Sequence, residues 1–260
     1  MNIALPVLLL VSVYIYAVLI WRISVRPSPT VDASAKTFGL PEAIFATSLS
    51  LFLLLGTLGS LTSGTKQITD RVLGENLLLT LGIVVLITGL LKLRGFDVNS
   101  LAGLTRTSFA RAALIGAALL LAAYPLIGLA DAITQRLLGS GSSKQTIVEL
   151  FNSSRTIDRR IMIIIFAVAI APAAEEFLFR FFFYGVLRRY LGRFLGLVLN
   201  SLLFAAVHAH LPSFAPLFVL GSCFTIAYEW SGTILVSMTM HALFNAVALT
   251  VLAFPELFPQ

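Results

Sequence analysis

Two adjacent glutamates, Glu175 and Glu176, and an arginine, Arg180, stand inside "IAPAAEEFLFRFFFYGVLRRY" (170–190), one of the most apolar stretches of the chain. On a helix, Glu176 and Arg180 are four residues apart and share a face, with the acid on the N-terminal side, the favourable order for an ion pair. Glu175 points about 100° away from its neighbour and has no partner on its own helix. A carboxylate held in apolar surroundings without a partner can hold or take a proton. One glutamate therefore reads as structural and the other as chemical. The rival reading is that the pair ties helices together or lines an ion or substrate path.

Two further segments bear on that choice. "FAAVH" sets Phe204 and His208 on one helix face, and "HALFN" does the same for His241 and Asn245. A turn is expected near "YLGRF" (190–194), with Glu175 about sixteen residues before it and His208 about sixteen after. In an antiparallel hairpin, equal distance from the turn means equal depth, so Glu175 and His208 can face each other. His241 and Asn245 are expected to complete the same pocket. His210, two residues from His208, turns to another side and reads as an interfacial bystander.

The elements that must hold these residues follow from composition. Of 260 residues 58% are hydrophobic and only 12% charged, with a mean hydropathy of +0.96. Apolar runs recur along the whole chain, which implies an all-α, polytopic transmembrane helical bundle. An open sheet is excluded in lipid by its unpaired edges, and the runs are too long and continuous for a membrane barrel. With roughly 20 residues needed per crossing, about eight spans are expected, at 2–21, 42–62, 76–93, 109–130, 161–186, 194–209, 214–230 and 233–254. The sixth and seventh are short, which suggests tilt or a recessed loop near Pro212. The first reads as an uncleaved helix. The second half of the 131–160 connection is expected to form a short amphipathic surface helix. Pro172 is expected to be the one proline break.

The formal charge of +6 does not indicate nucleic acid. The Lys and Arg residues fall in loops and at helix ends, where they suit a lipid bilayer as partner. They are more frequent in the odd-numbered loops, which favours both termini outside. The lone Cys223 can form no internal disulfide and reads as a small packing residue.

Glu-Glu-x-x-x-Arg at 175–180, Phe-x-x-x-His at 204–208 and His-x-x-x-Asn at 241–245, in that order, resemble the CAAX-protease and bacteriocin-processing family of intramembrane proteases, CAAX prenyl protease 2-like. The resemblance covers about residues 161–252 and includes the run "YEWSGTILVSMTMH" before the last motif. It departs at Phe181, where the family usually has a glycine that serves helix packing. The resemblance implies an endopeptidase acting on membrane-associated peptides or proteins, of CAAX type or of bacteriocin or signal-peptide type. The compact chain favours a bacterial protein of the inner membrane.

On this reading Glu175, with His208, activates a water. His241 and Asn245 donate to the oxyanion. Glu176 and Arg180 hold the helix in register, and Phe204 walls the pocket. Residues 1–158 supply N-terminal transmembrane helices and interfacial loops, and residues 159–254 the catalytic core. No cofactor is favoured. The alternative is zinc, with His208, His241 and Glu175 as ligands. The competing class is a non-enzymatic scaffold or an ion or solute carrier using the same polar cluster. A carrier should show inverted repeats or matched broken helices, and the sequence has none.

Overall fold

The structure is a computed structural model, and it describes residues 4–26, 36–62, 70–138 and 156–254. The expected surface helix in the second half of the 131–160 connection falls largely on 139–155, outside the described residues. Among the described residues all regular structure is helical: α1 (Ala4–Ser24), α2 (Leu40–Thr62), α3 (Asp70–Leu93), the short α4 (Val98–Leu101) and α5 (Phe109–Leu138). Next comes a composite rod, made of α6 (Ile157–Ile165), a π-turn (Phe166–Ile170), α7 (Ala171–Glu176), a second π-turn (Phe177–Phe183) and α8 (Tyr184–Val207). A 3₁₀ turn (Leu211–Ser213) leads to α9 (Phe214–Ser231) and α10 (Ile234–Ala253).

Seven of the described helical runs are long and apolar enough to cross a bilayer, and one of them, 157–207, is 51 residues long. A straight rod of that length would reach about 75 Å, more than twice a hydrocarbon core of about 30 Å. Gly192 breaks it, with φ 80° and ψ 174°, a backbone region open almost only to glycine. The chain reverses there. Arg188 meets Gly196, Phe179 meets Phe204, and Glu175 meets His208, pairs arranged symmetrically about the break. The fifth and sixth expected spans are therefore the two arms of this hairpin, and the chain is an integral membrane protein.

The tip of the hairpin is tied down by ions. Glu229 of α9 accepts from Arg188 Nη1 at 2.7 Å and Tyr184 OH at 3.0 Å, and pairs with Arg193 Nε at 3.2 Å. Arg193 Nη1 also donates to the carbonyls of Ile23 and Arg26 at the end of α1, each at 3.0 Å. One buried carboxylate thus joins the hairpin tip, α1 and α9 at one face of the bundle.

Helix α9 is the centre of the bundle. Cys223 to Tyr228 are six consecutive buried residues, so this helix is covered all round and shows no amphipathic stripe. It packs against α1, α5, α8 and α10. Cys223 is free and buried, as its small apolar character suggests. By contrast α1, α2 and α3 expose many Leu, Ile and Phe side chains, which is what a lipid-facing layer requires. Pro125 sits inside α5, whose helix runs on through it. Neighbouring helices can re-satisfy the carbonyl that such a proline frees in lipid.

A methyl group added at Gly192 would meet nothing within 4 Å, so the cost of Gly192→Ala is backbone strain alone. It should lower stability by about 1–3 kcal/mol in thermal melts in detergent. An unchanged melting curve would show that the hairpin does not depend on this dihedral.

Candidate active site

Glu175 and Glu176 close the six-residue helix α7, which lies between the two π-turns. A π-turn inserts an extra residue into the ladder and re-aims the side chains on its C-terminal side, and such turns recur at functional sites. In the second one, Leu178 to Phe183 are all buried, enclosed on every side. Phe181, standing where the family's glycine is expected, is part of that packing, with its ring 4.9 Å from Phe177 and 6.0 Å from Phe38.

Glu176 is fully buried. Its Oε1 lies 2.9 Å from Arg180 Nη1 and 2.9 Å from His241 Nδ1. The pair with Arg180 is the one the spacing implies. The bond to His241 adds a role that register alone does not cover. A carboxylate only accepts, so Nδ1 carries an N–H, and Nε2 is turned toward the site. His241 is further fixed by Phe224, stacked at 5.0 Å, and by Phe204, edge-on at 6.0 Å.

Arg180, also fully buried, has its guanidinium 4.3 Å from the Phe204 ring centroid and 5.1 Å from that of Phe224. Its Nη2 donates to Gly221 O at 3.4 Å. That carbonyl also accepts from Thr225 Oγ1 at 2.8 Å, and Asn200 Nδ2 donates to Thr225 Oγ1 at 3.1 Å. A buried polar chain therefore runs from Asn200 to His241. Gly221 makes it possible by close approach: a Cβ there would stand 3.0 Å from the Phe204 ring.

Glu175 faces the other way, as the 100° rotation implies. Its Oε2 lies 3.9 Å from His208 Nε2 and 3.9 Å from His241 Nε2, and it has no hydrogen-bond partner. His208 caps the end of α8, where its Nδ1–H donates to Phe204 O at 2.6 Å. That leaves Nε2 to face Glu175. Ala209, immediately after it, has φ 53°, the left-handed turn that ends the helix at the histidine. The Glu175 and His208 side chains keep 28% and 30% of their surface, against 0% for Glu176 and 5% for His241. The cluster has a dry half and an accessible half.

The structure thus brings Glu175, His208 and His241 together, with Glu176, Arg180 and Phe204 behind them. Asn245 Nδ2 donates to Ala167 O in the first π-turn at 2.8 Å. His210 lies on the turn after α8, with Nδ1 2.6 Å from Ser213 Oγ. Sequence reading missed Phe224, Gly221, Thr225 and Asn200. Asn200 was detectable as a polar residue in an apolar span, but Phe224 is one aromatic among many.

Donors sharing one tetrahedral zinc at 2.0–2.1 Å would stand roughly 3.4 Å apart. The Glu175–imidazole separations of 3.9 Å are wider, and no group of three or more His, Cys, Asp or Glu among the described residues is placed to hold a metal ion. As placed, His208, His241 and Glu175 do not fit one zinc.

The fold and this cluster define a polytopic membrane protein with a Glu–His site enclosed by its helices. Residues 158–247 match the family model described as Type II CAAX prenyl endopeptidase Rce1-like, so the chain carries a domain of that protease family. No curated protein and no solved structure matches the chain. The match marks residues 158–247 as a hydrolase domain and implies proteolysis at the membrane.

Glu176→Gln should cost about 3–5 kcal/mol by stranding a buried Arg180. The double variant Glu176→Gln, Arg180→Met should recover part of that loss. Melts of the three proteins decide it, and a double variant no more stable than the single one would show that the pair does not carry the stability.

Proposed function

We propose that this protein is an intramembrane endopeptidase whose general base is Glu175, acting with His208 on a water. The observation that carries this reading is the unpartnered Glu175 Oε2, 3.9 Å from two imidazole Nε2 atoms. Glu175 takes a proton as the water oxygen attacks the scissile carbonyl carbon. His241, protonated at Nε2 and held at Nδ1 by Glu176, donates to the developing oxyanion together with the Asn245 amide. The intermediate collapses, the C–N bond breaks, and Glu175 returns its proton to the leaving amine. The catalytic core on this reading is residues 159–254, and residues 1–158 form the surrounding transmembrane layer.

The substrates we propose are membrane-associated peptides or proteins, of CAAX type or of bacteriocin or signal-peptide type, cleaved in a bacterial inner membrane. Support comes from the accessible half of the site, since Glu175 and His208 are the partly open members. A carrier reading has less support, because the domain matched is that of an endopeptidase.

Glu175→Gln should melt like the parent protein and lose about a hundred- to ten-thousandfold in cleavage. The assay is hydrolysis of a quenched fluorescent peptide with a prenyl anchor, run beside an unlipidated transmembrane peptide. Retained cleavage would remove Glu175 from the mechanism. Elemental analysis of the purified protein should find no stoichiometric zinc. About one zinc per chain, with activity lost on chelation and restored by zinc, would instead make His208 and His241 ligands.

A further inference from the structure

The carbonyl of Ala167 is where backbone accounting meets the site. In the first π-turn the ladder reaches five residues ahead, and Ala171 N–H donates to Phe166 O. The next rung would run from the N–H of residue 172 to Ala167 O. Residue 172 is proline, which has no N–H. In an unbroken α-helix the same proline would orphan Val168, four residues back. Carried on to residue 172, the five-residue reach of the π-turn would set the orphan at Ala167 instead.

Ala167 is buried at 6% exposure, and a bare carbonyl is strongly disfavoured in hydrocarbon. The donor that reaches it is Asn245 Nδ2 at 2.8 Å, from a position 78 residues along the chain. Two independent features therefore coincide at one atom: a missing backbone donor and a side-chain amide from α10 aimed at it. An asparagine amide carries two N–H groups. Fixing one of them on Ala167 O sets the direction of the other.

We infer that Pro172 is a positioning residue for catalysis: by withholding an N–H it leaves Ala167 O free to clamp the Asn245 amide. The second N–H of that amide then serves the oxyanion. This rests on the oxyanion role proposed above for Asn245. It explains why a proline stands three residues before the catalytic glutamate, in a helix that must otherwise satisfy every backbone group.

The test restores the missing donor. Pro172→Ala should stay folded and lose about tenfold or more in kcat with KM nearly unchanged, as expected when an oxyanion donor is misplaced. In detergent melts Asn245→Ala should lower Tm by about 2–4 °C in the parent protein and far less in the Pro172→Ala background, where the backbone supplies the bond. Equal losses of Tm in both backgrounds, or full kcat in Pro172→Ala, overturn the inference. If Pro172→Ala does not fold, Asn245→Ala alone decides: a lowered Tm supports the clamp and an unchanged Tm overturns it. Failure of the oxyanion role looks different, because Asn245→Ala would then keep full turnover whatever the melts give, and the clamp would lose its catalytic purpose with it.

Discussion

The rest of the site depends on one carboxylate oxygen. Glu176 Oε1 is shared between Arg180 and His241 at 2.9 Å each, and both side chains bonded to it are out of reach of water. A charge at that depth is tolerated only when paired, so the glutamate, the arginine and the histidine must be placed as a unit. Placing them joins α7, the second π-turn and α10. Arg180 then needs its remaining surface covered, which Phe204, Phe224 and the Gly221 carbonyl provide. That requirement sets the position of α9 against the hairpin.

The consequence for chemistry is an asymmetry. Behind His241 the site is closed and tied together by Glu176, Arg180 and the Gly221 carbonyl. In front of it Glu175 and His208 are partly open and loosely engaged. A buried imidazole oriented through Nδ1 presents one defined nitrogen to the front. Preorganisation of this kind lets a polar group act without reorganising during reaction. The other half keeps Glu175 and His208 partly exposed. The two adjacent glutamates divide these tasks because successive helix residues point about 100° apart.

Backbone satisfaction is the second constraint. In a bilayer each free N–H or carbonyl must find a partner within the protein. The composite rod meets that requirement in three places. Gly192 reverses the chain where an ionic cluster at Glu229 can hold the tip. Ala209 closes α8 in a left-handed conformation beside His208. Asn245 covers the carbonyl that Pro172 leaves bare. Each departure from regular helix adjoins a residue of the site or the ionic tip that holds it, as expected where local irregularity aims side chains.

Much of this was legible in the sequence, for identifiable reasons. Apolar runs longer than a membrane crossing imply helices, because lipid admits no open alternative. The i, i+4 spacing of Glu176 and Arg180 made their pairing readable from helical geometry alone. Symmetry about the Gly192 turn set Glu175 level with His208, because depth in a hairpin is a count of residues. Non-local choices were not legible. The bond from His241 to Glu176 joins residues 65 apart, and no local pattern specifies which carboxylate an imidazole turns to. The bond from Asn245 to Ala167 O depends on a π-turn, whose single extra residue leaves no mark in hydrophobic periodicity. The choice of Phe224, among 20 phenylalanines in the chain, to stack on His241 is a matter of packing, decided only when α9 settles against α8 and α10.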